Sequence, residues 1–241
     1  MILTFIGSES GIKTGRSQAL KLAEEFGTEE LLAADYSEQL GRLGLPKRIA
    51  VTVDDNVNFN GLMISNSDAG IEKNGRNKVI LSTIHNLILY PEFRYNIGAY
   101  GIMSGIGDRS SYVISYRDPG IAASFESLES LGQKVREAEI GQEDVESAVM
   151  SAYSSWAYPL SARSLAETEI GYLLSGKAGS YSEECINNMK EAKKITAEDV
   201  EKAAEDIDDI IENSVRITAG GSASIREKRE LYDKVITDLT R

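Results

Sequence analysis

Arg94 and Tyr100 are the residues of this sequence whose types and spacing best suit the holding of a substrate. The guanidinium of an arginine offers several N–H donors on a planar fork, and a tyrosine adds a phenol. Together they can donate hydrogen bonds to the carbonyl oxygens of an extended peptide or to an oxyanion. From residue types alone the more common role is structural, with the arginine capping helix carbonyls and the tyrosine packed on a sheet.

The sequence lacks the residues that other kinds of catalysis would need. His85 is the single histidine, whereas a hydrolytic zinc site uses paired histidines together with a carboxylate. It shares one side of a predicted helix with Lys78 and Ser82, so we interpret it as a solvated residue at the rim of that helix. Cys185 lies among acidic residues, which disfavour a reactive thiolate, and is interpreted as a small helix residue. The chain is predicted to contain no metal ligands, no nucleophile and no general base.

The composition limits which partners and which cellular compartment are expected. The sequence has 38 acidic against 26 basic residues and a net charge of -12, which disfavours a nucleic-acid surface. A single cysteine excludes an intrachain disulfide and favours a reducing compartment, so we predict a cytoplasmic protein. The first residues lack the length and the basic flank of a signal peptide or membrane anchor. This start fits a domain of a longer polypeptide as well as a separately encoded subunit.

The elements that position Arg94 and Tyr100 are a helix and a hairpin. The helix beginning near Lys78 is predicted to stop at Pro91. Strand-like runs over residues 99–106 and 111–116, joined by Gly107 to Ser110, predict the hairpin. Arg94 is therefore predicted on a short link between the two, which ends at Tyr100.

The remaining pattern defines the fold class. Residues 2–6, 49–53 and 57–65 are strand-like, residues 27–47 are ambiguous, and apolar spacing predicts helices over 120–138, 142–156, 160–175 and 181–193. Thr196 and Asp199 predict a capping box for a further helix, followed by a strand over 215–219 and a last helix over 225–239. The order predicts one α+β domain with an antiparallel β-sheet, helices packed on one face and a helix-rich C-terminal half.

Four glycines surround Tyr100 without forming a phosphate loop, because no Gly-Lys-Ser/Thr follows them. We predict that they let another backbone approach the sheet closely. These glycines are Gly98, Gly101, Gly105 and Gly107.

The segment from Arg94 to Gly101 resembles the Arg-x-x-Gly-Gly-Ala-Tyr-Gly motif in the C-terminal half of the pitrilysin and insulinase class of zinc peptidases. Ser-Tyr-Arg-Asp-Pro at 115–119 is similar to the presequence protease branch of that class. Val57-Asn-Phe-Asn-Gly and the order of the later helices extend the resemblance over most of the chain. Ile97 departs from it, since the class usually has a glycine there. A branched residue does not easily adopt positive φ, so we expect a differently shaped link.

The resemblance implies a metallopeptidase α/β roll, with residues 1–241 as the last of four related domains. It places zinc in the first domain and no metal in this chain. Arg94 and Tyr100 would hold the substrate backbone and stabilise the transition state, with Gly98, Ala99 and Gly101 supporting the link. The implied function is that of a non-catalytic domain of a zinc endopeptidase that degrades unfolded peptides in a closed chamber, and this chain alone would be inactive.

The expected partners are peptide substrates and the N-terminal catalytic half of the same polypeptide, or a separate catalytic subunit. Neither nucleic acid nor a membrane is expected. An alternative reading stays open, in which the chain is a catalytically inactive relative that acts as a structural or binding subunit, because fold alone does not settle function.

Overall fold

The computed structural model describes residues 6–26, 46–54 and 56–237. The described residues group into two compact units, which are treated separately below. One unit contains the described residues of Met1–Gly44 together with Ala157–Ile186, and the other those of Leu45–Trp156 and Asn187–Arg241. The single domain over residues 1–241 stays a prediction. The strand predicted over residues 2–6 and the ambiguous residues 27–47 lie mostly outside the described part.

The helices of the described residues follow the predicted order closely. None of them is both long and apolar enough to span a lipid bilayer. They are α1 (Glu9–Phe26), α2 (Asn66–Ala69), α3 (Gly75–Ile84), α4 (Ala122–Glu129), α5 (Leu131–Glu137), α6 (Gln142–Ala157), α7 (Ala162–Leu174), α8 (Tyr181–Ala192), α9 (Ala197–Asn213) and α10 (Ser222–Glu227), with π-helical turns at His85–Leu89 and Glu92–Ile97 and a 3-10 turn at Arg229–Leu231.

The larger unit is built on a sheet that has six strands within the described residues. The strands are β1 (Arg48–Val53), β2 (Asn58–Ser65), β3 (Gly101–Ile106), β4 (Ser110–Asp118), β5 (Val215–Gly221) and β6 (Lys234–Ile236), in the order β3-β4-β2-β5-β1-β6. The neighbouring pairs β3–β4, β4–β2 and β2–β5 are antiparallel, whereas β1 runs parallel to both β5 and β6. The α+β class is confirmed, and the sheet is mixed rather than antiparallel throughout.

One face of this sheet carries the core of the unit. Alternate residues of β2 point to opposite faces, so Leu62 and Ile64 are buried while Phe59 and Met63 are exposed. Helices α3, α4, α5 and α9 contribute the opposing apolar residues, among them the fully buried Val79, Val135 and Val200. Burying one such side chain is worth about 1.5–3 kcal/mol, which holds the helices on this face.

The capping box of α9 is confirmed. The amide of Asp199 donates to the Thr196 hydroxyl at 3.4 Å, and the amide of Thr196 donates to the Asp199 carboxylate at 3.0 Å. Two amides at the helix start thereby gain acceptors, which explains why α9 begins where the sequence predicts.

The predicted last helix is wrong over most of its length. Only α10 is helical, and the chain then turns and adds β6 parallel to β1. Two side chains fix this course: the buried Tyr232 donates from its hydroxyl to Thr218 Oγ1 at 2.7 Å, and Asp233 accepts from Arg48 Nε at 3.1 Å. The apolar spacing after Ile225 is compatible with a helix as well as with a strand, and pairing with the buried strand β1 favours the strand. The helix predicted over 120–138 is likewise interrupted, at Ser130.

The smaller unit contains α1, α7 and the first half of α8. The Ser161 hydroxyl caps α7 by accepting from the Ser164 amide at 3.1 Å. Helix α7 has no fully buried residue, and Leu173 and Leu174 are exposed. Tyr172 and Tyr181 pack edge to face, with ring centroids 5.5 Å apart.

Candidate substrate-binding site

Pro91 does not end the helix that carries Arg94. The chain stays helical through the π-helical turns His85–Leu89 and Glu92–Ile97, and Pro91 has ordinary right-handed values of φ -59 and ψ -44. In an α-helix, a proline ring collides with the carbonyl group four residues earlier, and the wider π-helical turn before Pro91 gives the ring room. The predicted stop at Pro91 is therefore wrong, and Arg94 lies on a helical turn rather than on an irregular link.

Gly98 ends this turn and fixes the position of the residues after it. Its φ of 85 is left-handed, a region that glycine enters without steric cost. The amides of Gly98 and Ala99 both donate to the carbonyl oxygen of Phe93, the latter at 2.9 Å. Because Phe93 and Ala99 are fully buried, both sides of the turn are anchored in the core.

Ile97 does not need a positive φ. It is the last residue of the π-helical turn Glu92–Ile97 and packs half-buried against the core. Within the described residues, positive φ among non-glycine residues is confined to Arg117. The left-handed conformation falls on Gly98, and a link shaped differently from that of the family stays a prediction.

Arg94 and Tyr100 lie in direct contact. Arg94 Nη1 donates to the carbonyl oxygen of Tyr100 at 2.9 Å and to that of Ala99 at 3.4 Å. The guanidinium carbon lies 5.2 Å from the centroid of the Tyr100 ring, a cation–π distance. Tyr100 is 55% exposed, and its hydroxyl has no hydrogen-bond partner in the described part of the chain. One nitrogen of Arg94 thus fixes the link, while its other donors and the phenol face solvent.

Gly101 and Gly105 make room for aromatic rings rather than for another backbone. A Cβ at Gly101 would lie 2.5 Å from the hydroxyl oxygen of Tyr116, and one at Gly105 would lie 2.8 Å from the ring of Tyr112. Both rings come from the neighbouring β4. Our interpretation that these glycines admit a second backbone is therefore wrong at these two positions. The Tyr116 ring also packs against the Tyr100 ring, with their centroids 5.6 Å apart.

Glu92 anchors the turn that carries Arg94. Its carboxylate accepts from Lys134 Nζ at 2.7 Å, from Ser127 Oγ at 3.1 Å and from Asn96 Nδ2 at 2.5 Å. The hydrogen bond from the Lys134 ammonium, followed by that from Asn96, lowers the pKa of Glu92 below its ordinary value. Since Lys134 belongs to α5 and Ser127 to α4, the contact ties the turn to both helices.

We expect Glu92→Gln to lower the free energy of unfolding by about 1.5–3 kcal/mol at neutral pH, because a charge-assisted hydrogen bond is lost. A carboxylate whose pKa is lowered on folding stabilises above its unfolded value of about 4.3, and that stability is lost as the pH falls through the folded pKa. Urea unfolding should therefore show a difference between wild type and variant that shrinks below about pH 4.

Glu126→Gln, an exposed change on α4 next to Ser127, provides the matched control and should stay within about 0.5 kcal/mol of wild type. A Glu92→Gln variant with the same stability as this control at neutral pH would contradict the anchoring role.

The sequence pattern did not single out Arg117, which completes the cluster around Tyr100. Its carbonyl oxygen accepts from the Tyr100 amide at 3.3 Å, and its guanidinium carbon lies 5.3 Å from the Tyr100 ring centroid. In the sequence, Arg117 belongs only to the family-like segment Ser-Tyr-Arg-Asp-Pro at 115–119. The one sequence feature that points to Arg117 is its position next to Asp118. The side chain of Asp118 is fully buried in the structure.

His85 is less exposed than predicted, and it is not part of this cluster. Its Nδ1 lies 2.9 Å from Ser104 Oγ, and burial lowers its pKa. With Lys78 and Ser82 on the same side of the helix, it lines a polar cavity of about 300 Å³. Cys185 is buried on α8, in agreement with its interpretation as a small helix residue. No group of three or more His, Cys, Asp or Glu side chains in the described residues could hold a metal ion.

The fold of this chain has counterparts in solved peptidase structures. The inactive domain of a peptidase M16 from Pseudomonas fluorescens superposes with a TM-score of 0.55 at 14% identity, over 90% of this chain and 52% of that one. Pitrilysin superposes with a TM-score of 0.55 at 11% identity, over 95% of this chain and 25% of that one. The chain therefore has the fold of peptidase M16 domains.

The sequence itself is similar to one further protein. Protein HypA of Clostridium perfringens (strain 13 / Type A) is 21% identical over 239 residues, which are 98% of this chain and 24% of HypA. The chain thus spans about a quarter of that protein and about half of the Pseudomonas fluorescens structure. No protein-family profile matches the sequence.

Proposed function

We propose that this chain is a non-catalytic domain of a zinc metalloendopeptidase, in which Arg94 and Tyr100 hold the backbone of an unfolded peptide substrate. The observation that carries the proposal is their arrangement: a guanidinium fixed through one nitrogen, beside an exposed phenol, at the end of an open sheet face. The M16 peptidase fold supports it.

The sheet face beside the cluster suits an extended peptide. Gly101, Met103 and Gly105 alternate onto one face of β3, where Met103 is exposed and the rings of Tyr112 and Tyr116 cover the two glycines. Apolar surface with few side-chain charges can accept peptides of varied sequence. The donors of Arg94 and Tyr100 would then bind a peptide carbonyl, or the oxyanion that develops from it during hydrolysis.

The described residues do not fit a zinc site. The Nδ1 atom of His85 is occupied by Ser104, and the described residues offer no cluster of metal-ligating side chains around it. The zinc of the proposed peptidase is therefore assigned to another part of the protein. The partner of this chain would be that catalytic half, or a separate catalytic subunit. Membership of the presequence protease branch and a cytoplasmic location remain part of the proposal.

The proposal is tested on the complete protein that contains this chain. We expect it to contain zinc and to cleave an unstructured fluorogenic peptide, to lose that activity on chelation and to regain it with zinc. The 241-residue chain alone should leave the peptide intact, and a stably folded protein substrate should be a poor substrate for the complete protein.

Two outcomes would contradict this function. Cleavage by the 241-residue chain alone after chelation would make it an enzyme of another class. A complete protein that binds a partner, yet holds no zinc and cleaves no peptide, would instead support the alternative of a structural or binding subunit.

A further inference from the structure

Arg117 has a backbone conformation that calls for an explanation. Its φ of 48 is left-handed, which costs a non-glycine residue on the order of 1–3 kcal/mol. The cause is a β-bulge: Asn58 pairs with Asp118 and Asn60 pairs with Ser115, so one residue of β2 faces two residues of β4. A glycine would remove the strain at this position, and yet the residue present is a long cation.

The bulge aims this cation at Tyr100. The guanidinium carbons of Arg94 and Arg117 both lie within 5.3 Å of the centroid of the same ring. The Tyr100 amide donates to the carbonyl oxygen of Arg117, and Arg94 donates to the carbonyl oxygen of Tyr100. Backbone and ring of Tyr100 are thus held by two arginines at once.

Neither of these two cations has an acidic partner among the described residues, although the chain carries a net charge of -12. Five of the other nine arginines in the described part lie within ion-pair distance of an acid: Arg48, Arg76, Arg136, Arg163 and Arg216. Unlike the remaining four, Arg94 and Arg117 share one aromatic ring. Two like charges at one ring repel each other, and an anion placed between them would relieve that repulsion. A carboxylate matches the planar fork of a guanidinium.

We propose that Arg94, Tyr100 and Arg117 form a binding site for a carboxylate of the peptide substrate, with Arg117 as its principal ligand. Arg94 already uses one nitrogen on the Tyr100 carbonyl, whereas the guanidinium of Arg117 makes no hydrogen bond within the described residues. The carboxylate is either the C-terminus of the peptide or an acidic side chain. This inference rests on the proposed function insofar as it takes a peptide as the ligand.

The test measures binding of the 241-residue chain to four versions of one short unstructured peptide, by fluorescence anisotropy at low ionic strength. The versions carry a free C-terminus with one glutamate, an amidated C-terminus, a glutamine in place of the glutamate, or both changes. We expect the fully charged peptide to bind about tenfold more tightly than the doubly neutral one. The single change that removes this preference identifies the source of the carboxylate.

Arg117→Asn is the decisive variant, because asparagine tolerates left-handed backbone and removes the cation. It should reduce the preference for the charged peptide to about one. Arg117→Gly, free of strain, should give the same loss, and Arg117→Lys should keep part of the preference. Arg109→Asn, in the hairpin turn before β4, is the matched control and should retain the preference in full.

An unchanged preference in Arg117→Asn and Arg117→Gly would overturn this site, as would equal binding of all four peptides to the wild-type chain. These outcomes are separate from the fate of the proposed function. Cleavage by the complete protein without a charge preference would refute the carboxylate site alone. A charge preference in a complete protein that cleaves nothing would refute the peptidase alone.

Discussion

If the proposed function is correct, Arg94→Ala is expected to lower kcat/KM of the complete protein for an unstructured peptide by about 10²–10³-fold. Arg94 holds Tyr100 by a 2.9 Å hydrogen bond and leaves its other donors open toward a substrate. Loss of one donor to a developing oxyanion costs about 2.7–4 kcal/mol in the transition state, and alanine also frees the link. Arg94→Lys keeps a charge but loses the fork, so it should recover only part of the activity.

Tyr100→Phe isolates the contribution of the phenol. The ring remains beside both guanidiniums and the Tyr116 ring, so its packing is kept while the hydroxyl is removed. We expect a loss in kcat rather than in KM if the hydroxyl acts mainly in the transition state. Steady-state kinetics on a fluorogenic peptide separate the two parameters.

Tyr95→Phe is the control for these variants. Tyr95 lies beside Arg94 on the same turn and is 73% exposed, but it has no contact with Tyr100 among the interactions of the described residues. Its removal should leave kcat/KM within a factor of two or so. Zinc content and thermal unfolding must match wild type in every variant. Full activity in both Arg94→Ala and Tyr100→Phe would remove the substrate-holding role.

The residues that the sequence located correctly are those governed by local rules. The capping box at Thr196 and the hairpin from β3 to β4 depend on neighbours a few residues away. The left-handed helix end at Gly98 also follows a local preference for glycine, although the sequence predicted only a supporting role for this residue.

The residues that the sequence misplaced depend on distant partners. The strand β6 exists because Tyr232 reaches Thr218 and Asp233 reaches Arg48, both contacts between segments far apart in the chain. Pro91 is tolerated because of π-helical turns that no propensity predicts. Arg117 enters the site through a bulge that is set by the pairing of β4 with β2. None of these three features has a local signature.

Asp118→Ala is expected to destabilise the protein by about 3 kcal/mol or more, the larger of our two predicted effects on stability. Asp118 is fully buried, and its carboxyl group accepts from Ser115 Oγ at 2.5 Å, Ser124 Oγ at 2.6 Å and the Gly120 amide at 2.9 Å. Alanine removes the acceptor of these three hydrogen bonds, each worth about 1–3 kcal/mol. Ser115 Oγ and Ser124 Oγ then keep only the longer bonds to the carbonyl oxygens of Asn60 at 3.4 Å and Gly120 at 3.2 Å. Asp118→Asn keeps one acceptor oxygen and should be less harmful.

This network reaches the proposed substrate site through the backbone. Asn58 Nδ2 donates to the carbonyl oxygen of Asp118 at 3.1 Å, which fixes the bulge beside Arg117 and hence the partner of the Tyr100 amide. Urea unfolding of Asp118→Ala, with Asp209→Ala on the exposed side of α9 as control, measures the loss. If Asp118→Ala unfolds within about 0.5 kcal/mol of the control, the carboxyl group is not what holds the bulge, and the strain at Arg117 needs another support.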